Sequence, residues 1–460
     1  MATRETPPQR ALVLQGSVAL GAFEAGVFKA LYDKLFRPGE QLFDIVAGTS
    51  AGAINAAILV SYVKENKTWE GSAERLEEYW RDHLSSPTPL IGNFGQFWLG
   101  EAARRYYSTK YFFAYGAPGV FFPSLPFPSL DFKFFDNNPL FPPTNLWLKY
   151  SNQPLRYSLE RRDKKGQRFI NFPLKTTEGE PRFLAVSVDV KLGRAVTFDS
   201  YSNVSRFESY YDPKIQKSRE YVINYEQGIM PEHVMASASY PVFFDYQPVN
   251  GRRFWDGGLL SNTPLREVLQ AHRDYWHKDR EFETVPDLDV YVVNVWPSEE
   301  KKTIPLDHDG VKDRRNDITY ADKTEYDQKI ALVVTDYVDF INQLRDIATD
   351  AVNAVENAAK KRQLKTKLDG LLEKKGKSFK RTGIRRNYED LIKGRFNLNQ
   401  VITIERKDDL HNISNKWADY TSETINMLIR EGEDYERTAI VRAFPPPERV
   451  ETSRARHAEA

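Results

Sequence analysis

Phe43-Asp44-Ile45-Val46-Ala47-Gly48-Thr49-Ser50-Ala51-Gly52-Ala53-Ile54-Asn55-Ala56-Ala57-Ile58-Leu59-Val60 decides the fold of this chain. Its first five residues read as a short buried strand, and residues 53–60 as an apolar helix. Between them, Gly48-Thr49-Ser50-Ala51-Gly52 matches G-x-S-x-G, the pattern that presents a serine hydroxyl on a sharp strand-to-helix turn. Small residues at Gly48, Ala51 and Gly52 let strand and helix cross closely, and glycine tolerates the strained backbone such a turn needs. An isolated G-x-S-x-G is usually an ordinary turn. The strand before it and the helix after it favour a nucleophile at Ser50.

Working outward, Ala11-Leu12-Val13-Leu14 reads as another buried strand, residues 16–21 as a glycine-bounded turn and residues 22–34 as a helix. Strand, helix, strand, helix in short order predicts a mostly parallel sheet with right-handed crossovers, an α/β architecture. Residues 74–84 read as an amphipathic helix. Residues 183–190 and 195–198 read as strands joined near Gly193, residues 231–239 as a helix, and residues 246–255 as a hairpin turning at Asn250-Gly251. Residues 290–295 form a further core strand. Residues 319–375 have a helical pattern, residues 401–404 a late strand and residues 420–430 a late helix.

The 460 residues carry 41% hydrophobic and 28% charged side chains with a net charge of +1. That balance suits a globular protein with a substantial core and gives no global field favouring nucleic acid. The absence of cysteine excludes a disulfide scaffold, a thiol nucleophile and cysteine-ligated zinc. The N-terminal residues show no apolar run before Ala11, and no uninterrupted apolar stretch is long enough to span a bilayer. The expectation is a cytoplasmic protein, without cofactor or metal, that could touch membranes peripherally.

A serine needs a base at neutral pH. Among the seven histidines (His83, His233, His272, His277, His308, His411 and His457) none follows the elbow in an obvious strand-end loop. His233 lies within a predicted helix, where a polar side chain more often packs or faces solvent. Asp256 is the better candidate, because Phe254-Trp255-Asp256-Gly257-Gly258 ends a hairpin strand on a carboxylate with little steric cover, although D-G-G alone is an ordinary turn. Backbone N–H groups around Gly16, Ser17 and Val18, ahead of a helix, are placed to receive an oxyanion. The same turn lacks the G-x-G of a dinucleotide fingerprint and the Lys-Ser/Thr of a phosphate loop.

Together these pieces resemble the patatin-like phospholipase family, in particular a bacterial-type branch with a long C-terminal extension. The glycine-rich oxyanion turn is similar to residues 16–21, ending at Gly21. The G-x-S-x-G is similar to residues 48–52, and the D-G-G/A motif to residues 256–258. The similarity extends to residues 12–31, 230–237 and 261–264, so it covers about residues 10–270. The resemblance implies a three-layer α/β/α sandwich and a Ser50–Asp256 dyad in which Asp256 activates Ser50 for attack on a lipid ester. The substrate class implied is phospholipid, and the reaction runs through an acyl-enzyme. Gly16, Ser17 and Val18 would form the oxyanion hole, with Gly21, Gly48, Gly52, Gly257 and Gly258 as motif support. The chain departs from the family at Ser17 and Val18, where members often have glycine, and at Leu20, where many have a basic residue. β-Branched Val18 resists a positive φ, so the expectation is weaker oxyanion stabilisation or a turn of different shape. A catalytically weak lipid- or partner-binding member and an acyltransferase are the rival readings.

Residues 111–147 hold twelve aromatics and seven prolines, a density that predicts a long irregular excursion. It reads equally as a lid or membrane dock and as an insertion burying its own rings; a homo-oligomer interface would also satisfy it. Residues 360–395 carry 14 Lys/Arg against 4 Asp/Glu. A solvated helical arm is the favoured reading there, with attraction to anionic lipid the alternative. The organisation expected is a disordered N-terminus (1–10), a catalytic core (11–310) containing the insertion, a helical extension with a late strand packed on the core (311–445), and a disordered tail (446–460).

Overall fold

Strand β1 (Gln9–Leu14) sends Leu12 and Leu14 into one apolar cluster and Ala11 and Val13 into another. A strand buried on both faces needs a layer above and a layer below it. The computed structural model describes residues 8–124, 149–201, 206–212, 217–223, 228–241, 243–276, 285–301, 304–374, 388–389, 396–409 and 411–444. The expected N-terminus (1–7), the middle of the aromatic segment (125–148), most of the later basic segment (375–387 and 390–395) and the C-terminal tail lie outside the described residues. Gln9 and Arg10, read in the sequence as part of the loose N-terminus, pair in β1 with Leu288 and Asp289.

After β1 come α1 (Gly21–Leu35), β2 (Ile45–Thr49), α2 (Ala51–Asn66) and α3 (Ser72–Glu78), which passes into a π-helical turn at Tyr79–Leu84. A helical pair, α4 (Leu90–Leu99) and α5 (Glu101–Tyr115), leads to the small antiparallel ribbon β3 (Phe122–Ser124) and β4 (Lys149–Ser151), then to α6 (Gln153–Leu159). The hairpin β5 (Arg182–Asp189) and β6 (Arg194–Asp199) is followed by an antiparallel pair, β7 (Arg206–Asp212) and β8 (Lys217–Ile223), and by α7 (Pro231–Ser237). Next come β9 (Gln247–Val249) and β10 (Arg252–Asp256), joined by Asn250 and Gly251 at φ 47° and 75°, the doubly positive turn that Asn-Gly favours. Helix α8 (Leu265–Asp274), β11 (Leu288–Asn294), α9 (His308–Tyr320), α10 (Glu325–Asn353), α11 (Ala358–Leu372), β12 (Leu398–Arg406), α12 (Ser422–Glu433), α13 (Tyr435–Thr438) and β13 (Ala439–Phe444) complete the described chain.

The main sheet has nine strands in the order β13-β12-β11-β1-β2-β5-β10-β9, with β6 also on β5. The pairs from β12 through β11, β1 and β2 to β5 are parallel; β13, β10, β9 and β6 are antiparallel additions. One face packs against α1, α2, α3 and α12 through Phe23, Ile54, Leu76 and Leu428, and the other against α8 and α10 through Leu265, Val268 and Ala331. This is the three-layer α/β/α sandwich expected from the sequence. The C-terminal part supplies β12 and β13 to the same sheet, and α12 crosses α1 closely. A Cβ on Gly26 would stand 1.9 Å from the Ile429 carbonyl oxygen, and one on Gly432 would stand 2.2 Å from that of Phe23.

Two segments differ from the sequence reading. Residues 111–115 are not irregular; they close α5, because the prolines that forbid a helix begin only at Pro118. The predicted helix over 319–375 is interrupted between Tyr320 and Glu325 and again after Asn353.

Candidate active site

Three strands bring Ser50 and Asp256 together. Strand β6 occupies one edge of β5 over residues 184–189, so both β2 and β10 must use the other. Strand β2 runs parallel up that edge until Thr49 stands opposite Val186. Strand β10 runs down it in the opposite sense until Asp256 stands opposite Ser187. The two strands therefore abut end to end along one edge of β5, and the residues at their tips meet.

Ser50 caps α2 at φ 54° and ψ −120°, a conformation that costs a residue with a Cβ on the order of 1–3 kcal/mol. The strain expected at the motif glycines sits on the serine itself. The glycines serve close approach instead. A Cβ on Gly48 would lie 2.2 Å from the Gly52 carbonyl, and one on Gly52 would lie 2.4 Å from the Leu14 oxygen. The Ser50 N–H donates to the Ser237 hydroxyl (3.0 Å), which itself donates to the Val186 carbonyl (2.6 Å). The Thr49 hydroxyl donates to the Ser261 carbonyl at 2.8 Å. The elbow is thus pinned from α7 and from the loop after β10.

Asp256 is buried, and its carboxylate accepts the Gly258 N–H at 2.7 Å while its own N–H donates to the Ser239 carbonyl at 2.9 Å. Burial pushes its pKa up to about 7, against the opposing pull of the Gly258 N–H and of the Ser50 hydroxyl. The Ser50 hydroxyl lies near enough to this carboxylate to favour its ionised form. Gly257 has to be small because a Cβ would sit 2.3 Å from the Val186 oxygen; at Gly258 one would sit 2.9 Å from the Asn262 amide oxygen.

The turn at residues 16–21 lies against this pair, with the Ser50 Cβ 3.4 Å from where a Gly16 Cβ would be. The Gly16 N–H already donates to the Asn262 carbonyl at 3.0 Å, so Gly16 supplies no free donor. A 3-10 turn begins at Val18 (Val18–Leu20), and its first donors lack intrahelical acceptors. Val18 adopts φ 54° despite its branched side chain. Among the described residues the buried Ser17 hydroxyl has no hydrogen-bond partner. Gly21 packs where a Cβ would meet Trp80 at 2.9 Å and Ala51 at 3.0 Å.

Residues that sequence reasoning did not single out hold this turn. Gln15 accepts the Val295 and Trp296 N–H groups (2.8 and 3.1 Å) and donates to the Tyr320 carbonyl (3.1 Å). Trp296 Nε1 donates to the Gly16 carbonyl at 2.9 Å, and Asn262 Nδ2 donates to the Tyr320 carbonyl at 3.0 Å. Ser237 and Asn262 lie in the stretches whose similarity was noted, a signal without a role attached. Trp296 and Tyr320 had no local signal.

Ser50, Asp256, Gly16, Ser17 and Val18 open onto a cavity of about 270 Å³. Its walls include Phe113, Phe121, Tyr150, Phe243 and Trp417, in mutual ring contact at 5.0–6.2 Å. Of the aromatic segment, Phe112, Phe113 and Phe121 pack inward. His233 does not line the cavity. Its Nδ1 accepts the Met230 N–H at 2.9 Å at the start of α7, its ring lies on Phe198, and burial lowers its pKa to about 4. Asp313, Asp317 and Asp408 gather as a metal site would, but lysines fill the space: Lys416 Nζ is 2.9 and 2.8 Å from Asp313 and Asp317, and Lys301 Nζ is 3.0 Å from Asp317.

Residues 12–269, which carry all of these motif positions, match the patatin-like phospholipase family. The chain belongs to that family. Membership places this patatin-like protein among lipid acyl hydrolases. VipD from Legionella pneumophila is similar in structure at 13% identity, with 93% of this chain and 68% of that chain covered and a TM-score of 0.29. None of the curated proteins matches the sequence. Among the described residues no helix is long and apolar enough to cross a membrane.

Proposed function

We propose that this patatin-like protein is a serine-dependent acyl hydrolase of phospholipase A type, working through Ser50 and Asp256. The observation that carries the reading is the end-to-end meeting of β2 and β10, which sets a strained serine against a buried carboxylate with a pKa near neutrality. A base is most effective with its pKa near the working pH. Ser50 Oγ attacks the ester carbonyl carbon as its proton passes to Asp256. The Ser17 and Val18 N–H groups receive the oxyanion. Collapse expels the alcohol, which takes the proton from Asp256, and leaves acyl-Ser50. Water then adds to the acyl carbon, giving its proton to Asp256. The second tetrahedral intermediate breaks the acyl–serine bond and returns that proton to Ser50 Oγ, releasing the fatty acid.

The aromatic cavity supports an acyl chain as the group held. Peripheral membrane contact is supported by α4, which carries no charged residue and exposes Leu90, Phe94, Phe97 and Trp98. It packs on α5, whose Phe113 lines the cavity. Labelling with a fluorophosphonate tests the nucleophile. Wild type reacts and Ser50→Ala does not; an unreactive wild type supports the binding-protein alternative. Product analysis with added alcohol separates hydrolysis from acyl transfer.

A further inference from the structure

Helix α9 lies beyond residue 269, where the family match ends, yet Lys312, Arg315, Asn316 and Tyr320 line the cavity. The spacing i, i+3, i+4, i+8 places them on one helix face. Tyr320 marks the end nearest the reacting pair: its hydroxyl meets that of Tyr240 at 2.6 Å, and the Asp256 charge contributes to raising its pKa, after burial and Tyr240. At 1.5 Å per residue, Arg315 stands ~7.5 Å and Lys312 ~12 Å further along the helix axis.

Both cations are exposed, and among the described residues neither has an ion-pair partner. The acids on their own helix are otherwise engaged. Asp313 and Asp317 are held by Lys416 and Lys301, and Asp309 accepts from the Ser414 N–H and hydroxyl at 2.9 and 2.6 Å. Arg315 makes one side-chain hydrogen bond, at 3.1 Å to Asn316, which leaves most of its donors unused. The cavity is therefore apolar over its aromatic walls and cationic along α9. A glycerophospholipid divides in the same way, since its phosphate lies a few bonds from the ester carbonyl while the acyl chain extends from the carbonyl's other side.

We infer that Lys312 and Arg315 form a subsite for the phosphate of a lipid headgroup, placed by the C-terminal part of the chain. The inference takes its orientation of the lipid from the hydrolase reading. Its test does not need turnover. Binding of a short-chain diether phosphatidylglycerol, which has no ester to cleave, is measured by calorimetry on the full chain beside the matching dialkylglycerol and inorganic phosphate. K312Q/R315Q weakens the diether phospholipid about tenfold or more and leaves the dialkylglycerol unchanged. Added salt weakens the wild-type complex and has little effect on the variant. Equal weakening of both lipids, no weakening of either, or no binding of the phospholipid by wild type overturns the subsite. Inorganic phosphate binding as tightly as the diether makes this a free-phosphate site and overturns the headgroup assignment. Failure of ester hydrolysis with this binding pattern intact sinks the hydrolase reading alone.

Discussion

Val18 and Ser50 share a backbone distortion: each sits at φ 54°, and both line the same cavity. The branched residue that the sequence suggests would resist this conformation adopts it. Val18→Gly should therefore keep short-chain esterase activity within about threefold, since glycine takes positive φ freely. Val18→Pro, fixed near φ −65°, should abolish it. Ser50→Gly should be more stable to denaturant than Ser50→Ala by about 1 kcal/mol, through relief of the same strain. Equal stability of the two would show that the elbow is unstrained.

Ser237 connects the Ser50 N–H to the Val186 carbonyl. Ser237→Ala leaves a buried donor and a buried acceptor unpaired, at a cost of about 1–3 kcal/mol. A displaced elbow should lower kcat by roughly 10- to 100-fold with a smaller change in KM. Steady-state kinetics beside a urea melt checks both numbers.

As the proposed base, Asp256 must be ionised to take a proton, and burial holds its pKa at about 7. Hydrolysis of a neutral ester should therefore plateau above pH 7 and fall about tenfold per unit below it. Stability follows the opposite sign. The folded pKa lies above the unfolded one, so the contribution of the protonated form is complete below pH ~4, declines towards pH 7 and is gone above it. Asp256→Asn should abolish activity yet melt higher than wild type at pH 8, with the gap closing by pH 4. A gap that does not change with pH would contradict a raised pKa.

His233 accepts a backbone hydrogen bond, and burial lowers its pKa to about 4. Its neutral form stabilises the fold above the unfolded pKa of ~6.5, and that contribution is lost as pH falls through about 4. His233→Ala should lower the melting temperature while keeping esterase activity within a few-fold. Loss of activity as deep as that of Asp256→Asn would make His233 the base.

Helix α4 presents Phe97 and Trp98 to the exterior. Phe97→Glu with Trp98→Glu should reduce hydrolysis of phospholipid vesicles about tenfold or more, since a charge at the membrane interface opposes insertion of the apolar face. Turnover of a dissolved short-chain ester should not change. If sedimentation shows instead that these substitutions split a dimer, the face belongs to a second copy of the chain.

The sandwich was legible wherever a strand is apolar on both faces, as in β1, β2, β5 and β11, because continuous burial leaves a continuous run of apolar residues. The Asn250-Gly251 hairpin was legible because its backbone needs positive φ. Helices α4 and α5 were not, because glycine and aromatic residues there give no clear helical period, although Gly92 and Gly95 are what lets the two helices pack. Proximity of Ser50, Asp256 and the turn at residues 16–18 could be inferred from their motifs. The commitment of the Gly16 N–H to Asn262 could not, nor could the ties of Trp296 to Gly16 and of Gln15 to Tyr320, since each joins residues more than two hundred positions apart.

The shared edge of β5 also bears on how such a chain can vary. The separation of Ser50 and Asp256 is fixed by two strand tips seated on consecutive residues, Val186 and Ser187, so none of the loops between them acts as a spacer. Insertions there, the aromatic segment and the β7–β8 ribbon included, can lengthen, shrink or exchange while the chemistry keeps its register. Substrate preference is then free to drift in the periphery, and the splint that aligns Ser50 with Asp256, the proposed nucleophile and base, stays as it is.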